Sequence, residues 1–110
     1  MTPQRGEIWW VSLDPTQGAE IRKTRPCLVL STNTANQHRS TVVVVPLSTA
    51  ARAYPPITVP ITCQGQEVVA VVDQVRAVAK HRLRTCIETA TPDTLQTVVS
   101  ALARILEFSP

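Results

Sequence analysis

Apolar positions fall into short runs along most of the chain and into one helical stripe near its end. Glu7 to Leu13 reads as a first strand, bounded by Gly6 and by Asp14-Pro15-Thr16, where proline supplies no ladder donor. Thr16 to Arg25 is a loop without apolar period, and Pro26 forces Arg25 toward extended backbone. Cys27 to Ser31 and Thr41 to Val45 are too short and too rich in β-branched residues for buried helices. They read as central strands, with polar Thr32 to Ser40 between them. Pro46 ends the second run, and Leu47-Ser48-Thr49 opens a loop through Arg52 and Tyr54 to Pro55-Pro56. Ile57, Val59 and Ile61 alternate with Thr58, Pro60 and Thr62, the two-residue period of a half-buried strand that Pro60 assigns to a sheet edge. Gln64-Gly65-Gln66 is a hairpin turn into Glu67 to Asp73, and Gln74 to His81 continues as extended or irregular chain. Thr91-Pro92-Asp93 then opens a helix: Thr91 caps it, Pro92 takes the first position where no N–H is needed, and Asp93 suits the positive end of the dipole. Leu95, Val98, Val99, Leu102, Ile105 and Leu106 form one apolar stripe that packs on the sheet.

Composition narrows the class. A chain of 110 residues, 44% apolar, forms a single domain spanning residues 1–110 and buries a core without disulfides or metal. Few charges, few aromatics and abundant Val and Thr favour a mainly β domain with the terminal helix. Cys27, Cys63 and Cys86 are odd in number and lack metal-type spacing, so each is expected to be a small buried thiol in a reducing cytoplasm. No run is long enough to cross a bilayer, and the expectation is a cytoplasmic protein without membrane association. P-loop, dinucleotide, Cys-His metal and nucleophile-elbow signatures are absent from the sequence, so neither cofactor nor metal is expected. The net charge of +3 says little until its placement is considered. Arg22, Lys23, Arg25, Arg39 and Arg52 meet no acid between Ile21 and Gln66, and Arg76, Lys80, Arg82 and Arg84 form a second stretch free of carboxylates. Two such clusters point to a polyanionic partner.

The spelling of the loops is more specific than their charge. Gly6-Glu7-Ile8-Trp9, Leu13-Asp14-Pro15-Thr16, Gly18, Glu20, Arg25-Pro26 and Leu28-Val29-Leu30-Ser31 together resemble the MazF/PemK (Kid) family of toxin endoribonucleases. Val45-Pro46-Leu47-Ser48-Thr49, Val72-Asp73-Gln74-Val75, Lys80 to Leu83 and the capped helix extend the resemblance over nearly the whole chain. It implies an SH3-like barrel of twisted antiparallel strands, a homodimer, a cognate antitoxin with an acidic C-terminal tail, and metal-independent cleavage of single-stranded RNA at short sequences. By the same match Arg25 is the catalytic arginine, Glu20 the glutamate of its loop, and Ser48 stands where most members hold threonine. The serine keeps the hydroxyl and drops the methyl. Asp73 and Gln74 match an Asp-Gln pair. The position of a second arginine used by some members is Val71 here, which leaves the work to Arg25.

The chemistry is consistent with these residue types. RNA carries its own nucleophile, the 2′-hydroxyl, so aligning it with the phosphate and stabilising the added charge suffices. The products are a 2′,3′-cyclic phosphate and a 5′-hydroxyl. Arg25 suits charge stabilisation, because its fork matches phosphate oxygens, and Ser48 can donate to the same group. Arginine does not act as a base; Glu20 is the better candidate for that role and His38 the second. Arg22, Lys23, His38, Arg52, Arg76, Lys80, His81, Arg82 and Arg84 are the candidate RNA-binding residues. Trp9 and Trp10 leave opposite faces of one strand; Trp9 is the structural one, and Trp10 is a platform for a base or for an antitoxin segment, or else an interface residue. Two other readings keep the fold: a non-catalytic toxin that binds a protein such as DNA gyrase, in the manner of CcdB-like poisons, and an inactivated RNA-binding module.

Overall fold

The computed structural model describes residues 2–13 and 23–108. Along them run β1 (Glu7–Ser12), β2 (Thr24–Val29), α1 (Asn33–His38), β3 (Thr41–Ser48), β4 (Thr58–Cys63), β5 (Gln66–Val71), β6 (Arg76–Ala79), β7 (Leu83–Thr89) and α2 (Pro92–Ile105). Short 3-10 turns occupy Val72–Gln74 and Lys80–Arg82. The strands make one antiparallel, twisted sheet in the order β4-β5-β3-β2-β1-β7, with β6 also on β3. The expected barrel is therefore an unclosed one: among the described residues β6 and β7 are joined by the Lys80–Arg82 turn and not by a ladder.

Strand β3 is the common element, and a proline divides it. Leu30 N donates to Val43 O, so odd-numbered residues of β3 turn their peptide groups toward β2 and even-numbered ones turn them away. Pro46 lacks an N–H on the side away from β2, where the neighbour changes from β6, paired with Thr41 to Val44, to β5, paired with Leu47 and Ser48. The Val72–Gln74 turn fills the fork. The strand thus continues through Pro46 to Ser48 instead of ending there as the sequence suggests.

Alternation along β3 supplies two cores. Val45 and Leu47 face a cluster with Ile8, Leu28, Val59, Ile61 and Ala70, closed by Val98 and Ala101 of α2, whereas Val42 and Val44 face Trp9, Val11, Cys27, Val29 and Val78 on the other side. Helix α2 begins as expected, with Thr91 Oγ1 accepting from Thr94 N at 3.1 Å and Pro92 in the first turn. It ends on Glu107 at φ 58, with Phe108 N on Ala103 O at 2.8 Å, so Leu106 leaves the stripe and is 50% exposed. The β4–β5 turn places Gln64 and Gly65 at φ 52 and 76, the left-handed conformation that a two-residue hairpin needs.

Two expectations are corrected and one is refined. The polar span Thr32 to Ser40 contains α1, which has no apolar period. Thr32 Oγ1 accepts from Ala35 N, and fully buried Asn36 bonds to both Ser31 O and Ser31 Oγ. The extended chain after Asp73 resolves into β6, and a further edge strand, β7, covers Leu83–Thr89. Cys86 lies on β7 and is exposed, unlike buried Cys27 and Cys63, because an edge strand leaves part of its length uncovered. No helix among the described residues is long and apolar enough to cross a membrane.

Candidate active site

The two prolines that interrupt the ladders also open a cleft. Even-numbered residues of β2 turn their N–H toward β3, so Pro26 lacks the donor that would continue the ladder to Leu47. The last β2–β3 pair is Cys27 with Pro46, and continuing that register sets Arg25 opposite Ser48 on strands no longer tied together. The space between them is a cleft of about 270 Å³. Trp10, Pro26, Leu47, Cys63 and Val68 supply its apolar surface, and Thr24, Arg25, Ser48 and Thr49 its polar surface.

Arg25 is half-buried, and its Nε is buried without a hydrogen-bond partner among the described residues. Such a donor is uncommon because desolvating it without a partner costs about 1–3 kcal/mol. Its backbone is held by Cys27, whose thiol donates to Arg25 O at 3.6 Å. Burial pushes the Cys27 thiol up to about 12, against the opposing pull of the Arg76 charge, so it keeps the proton it donates. Sequence reasoning gave Cys27 only a packing role, and the i to i+2 spacing from Arg25 was the available signal.

Ser48 Oγ accepts from Ala50 N and Ala51 N, each at 3.1 Å. Both lone pairs are then engaged, which leaves the hydroxyl its proton to donate. Cys63 on the cleft wall is held neutral, its thiol raised by burial first and then by the charge and hydrogen bond of Glu88.

The other basic residues divide between two places. Arg76 sits on β6 opposite Val44, on the face of β3 that also carries Ser48, and its charge reaches Cys27. Arg82 Nη1 donates to Ser12 O at 3.3 Å, and Ser12 pairs with Thr24 at the rim of the cleft. Lys23 immediately precedes β2 at φ 70, its carbonyl accepting from Leu13 N at 3.0 Å. Lys80 instead lies beside the start of β3, its N–H on Ser40 O at 2.9 Å. His38, at the end of α1, is near that position too, its Nδ1 donating to Thr34 O at 2.9 Å. Seven residue steps along β3 separate Thr41 from Ser48, about 23 Å at strand rise, so the structure does not bring His38 to Arg25 and Ser48 as a base. Arg52, His81 and Arg84 are exposed. Asp73 is exposed on the turn at the fork, and both Val72 N and Asp73 N point at Ile57 O. Glu20 and Arg22, with the arch expected between Glu20 and Arg25, lie outside the described residues.

Trp9 is 3% exposed and donates Nε1 to Glu7 Oε1 at 2.9 Å, whereas Trp10 is 41% exposed and lines the cleft. The β1–β7 register slips between Trp10 and Val11, a bulge that re-aims the Trp10 side chain at the end of its strand.

This architecture has close parallels among known proteins. MazF from Deinococcus radiodurans superposes with a TM-score of 0.88 at 26% identity, covering 98% of this chain and 99% of that one. A mycobacterial endoribonuclease in complex with its cognate antitoxin matches at a TM-score of 0.81 and 26% identity, over 98% of each chain. In sequence, the endoribonuclease toxin MazF of Escherichia coli is 35% identical over 97 residues, 87% of this chain and 86% of that protein. Residues 4–106 match the family described as PemK-like, MazF-like toxin of type II toxin-antitoxin systems. With that match over nearly its whole length, the chain belongs to the PemK/MazF toxin family.

Proposed function

We propose that the chain is an endoribonuclease toxin of a toxin–antitoxin pair that cleaves single-stranded RNA at the Arg25–Ser48 cleft. One observation carries this reading: two strand ends that line one cleft bring together a guanidinium whose buried Nε has no partner among the described residues and a hydroxyl whose lone pairs are already taken, so both can still donate and call for an acceptor. A phosphate supplies that acceptor. Arg25 binds and neutralises the charge that develops when the neighbouring 2′-hydroxyl attacks the phosphorus, and Ser48 donates to the same group. The P–O bond to the 5′-oxygen breaks and that oxygen takes a proton from water, leaving a 2′,3′-cyclic phosphate and a 5′-hydroxyl without a metal. Glu20 takes the 2′-hydroxyl proton. Arg76 and Arg82, with Lys23, extend the positive field along the strand, and Lys80, His81, Arg84, Arg22, Arg52 and His38 contribute to it more remotely.

A cytoplasmic toxin of this kind is held in check by an antitoxin with an acidic C-terminal tail that competes with RNA for the basic cleft. It works as a homodimer in which α2 and the segment from Asp73 to Val78 support the interface. Leu106 and Phe108, 50% and 67% exposed beyond the helix, are apolar surface for such a contact. Incubation with a long RNA in EDTA tests the activity: discrete cuts ending in cyclic phosphate and 5′-hydroxyl are expected. Intact RNA beside inhibited gyrase would replace this reading with that of a protein-directed poison. Sedimentation at micromolar concentration is expected to show a dimer, and a monomer alone would refute that part.

A further inference from the structure

Beside the groups that suit a phosphate, the cleft has an apolar half that they leave unexplained. Trp10 pairs with Pro26, and the continued register places Leu47 next in the same row, so an indole, a proline ring and a leucine line the cleft from one face of the sheet, while Arg25 and Ser48, in the row of Val11, border it from the other. A bulge aims Trp10 there, and it is the one large aromatic among the lining residues. At about 270 Å³ the space falls below the roughly 300–1,000 Å³ of pockets for drug-sized ligands, which matches one flat base better than a whole nucleotide. Cys63 and Val68 close the back without a charge, since the Cys63 thiol keeps its proton.

From this juxtaposition we propose that the Trp10 side of the cleft is a single-nucleobase subsite. The indole stacks on the base adjoining the phosphate held by Arg25 and Ser48, and so fixes one position of the sequence that is cut. The proposal rests on the endoribonuclease reading and deepens it. Stacking on an aromatic side chain contributes enough that its loss weakens binding by about 5- to 100-fold. Every base has a face to stack on, so the preference at that position comes from the base edge, for which Thr24 and Thr49 in the lining of the cleft supply hydroxyls.

The test compares wild type, Trp10→Ala and Trp10→Phe in two measurements. The first maps 5′-hydroxyl ends across a long transcript and follows KM and kcat on a short RNA. The second titrates the same oligonucleotide, with a 2′-deoxy sugar at the cut so that it is not cleaved, against intrinsic tryptophan fluorescence. Trp10→Ala is expected to raise KM by 5- to 100-fold, with a smaller change in kcat, and to flatten the base preference at one position beside the cut. Trp10→Phe should recover most of the affinity, and the fluorescence quench of the wild type should vanish in both variants. Wild-type cleavage with an unchanged KM and base preference in Trp10→Ala would overturn the subsite and leave the enzyme reading standing. A wild type that cuts nothing yet shows the Trp10-dependent quench would overturn the enzyme reading and leave the subsite. If Trp10→Ala instead altered only inhibition by antitoxin, or only the sedimentation of the dimer, Trp10 would be a protein contact and the subsite would be wrong.

Discussion

Replacing Arg25 with methionine separates catalysis from stability. The substitution keeps an unbranched stem of similar reach and removes the guanidinium, including the buried Nε that has no partner among the described residues. An unpaired buried donor costs about 1–3 kcal/mol, and Arg25 is only half-buried, so its removal is expected to stabilise the free protein by about 1 kcal/mol. For a domain of this size that is a rise in Tm of about 4 °C. Cleavage should fall at least 100-fold, the usual cost of removing one preorganised donor to a developing oxyanion. Arg25→Lys, a point charge without the planar fork, should lie between the two. Urea unfolding and single-turnover cleavage of one RNA measure both quantities on the same preparation. Near wild-type cutting by Arg25→Met would remove the residue from the chemistry. A loss of more than 1 kcal/mol would show that the guanidinium holds the fold together.

Ser48→Ala is expected to cut about 100-fold more slowly and to lose about 1 kcal/mol, because Ala50 N and Ala51 N lose their acceptor; Ser48→Thr keeps the hydroxyl and should stay active, and equal rates for the alanine and threonine variants would exclude the hydroxyl. Cys27 has a folded-state pKa of about 12 against an ordinary 9.0, so the folded protein holds a proton that the unfolded chain releases. Its contribution is intact below pH 9 and declines between pH 9 and 12 by up to about 4 kcal/mol; the difference in stability between wild type and Cys27→Ala should follow that course, and a flat difference would refute it. Glu107→Gly should stabilise α2 by about 1 kcal/mol by relieving a left-handed backbone at φ 58, a gain that chemical denaturation would show and that no change would contradict.

Elements that bury an alternating or helical stripe were legible from the chain alone. Thr91-Pro92-Asp93 and the spacing from Leu95 to Ile105 determine α2, and Pro60 marks β4 as an edge, where it lies. Helix α1 was not, because it is held by hydrogen bonds from Thr32, Ser31 and buried Asn36 instead of an apolar stripe. Strand β7 escaped because Arg84, Thr85 and Cys86 are all exposed on an edge, which erases the alternation. In the site, the types of residue at 25 and 48 were readable, but not their opposition across the cleft. That depends on a register reached through β2 and β3 and on the peptide direction of Pro26 and Pro46. The thiol that secures Arg25 left only its i to i+2 spacing as a signal, since a hydrogen bond to a neighbouring carbonyl leaves no mark in composition.

Because β3 sends Val42 and Val44 into one core and Val45 and Leu47 into the other, neither core can come apart without moving the same backbone. The molecule should behave as a single cooperative unit despite its two apolar clusters. Amides of Leu28, whose side chain belongs to the first core, and of Val29, whose side chain belongs to the second, should then exchange with solvent through the same global opening and at the same free energy. Such unity means that the cleft at the end of β3 is either assembled with the whole domain or absent with it, and partial unfolding offers proteases no route to one half alone.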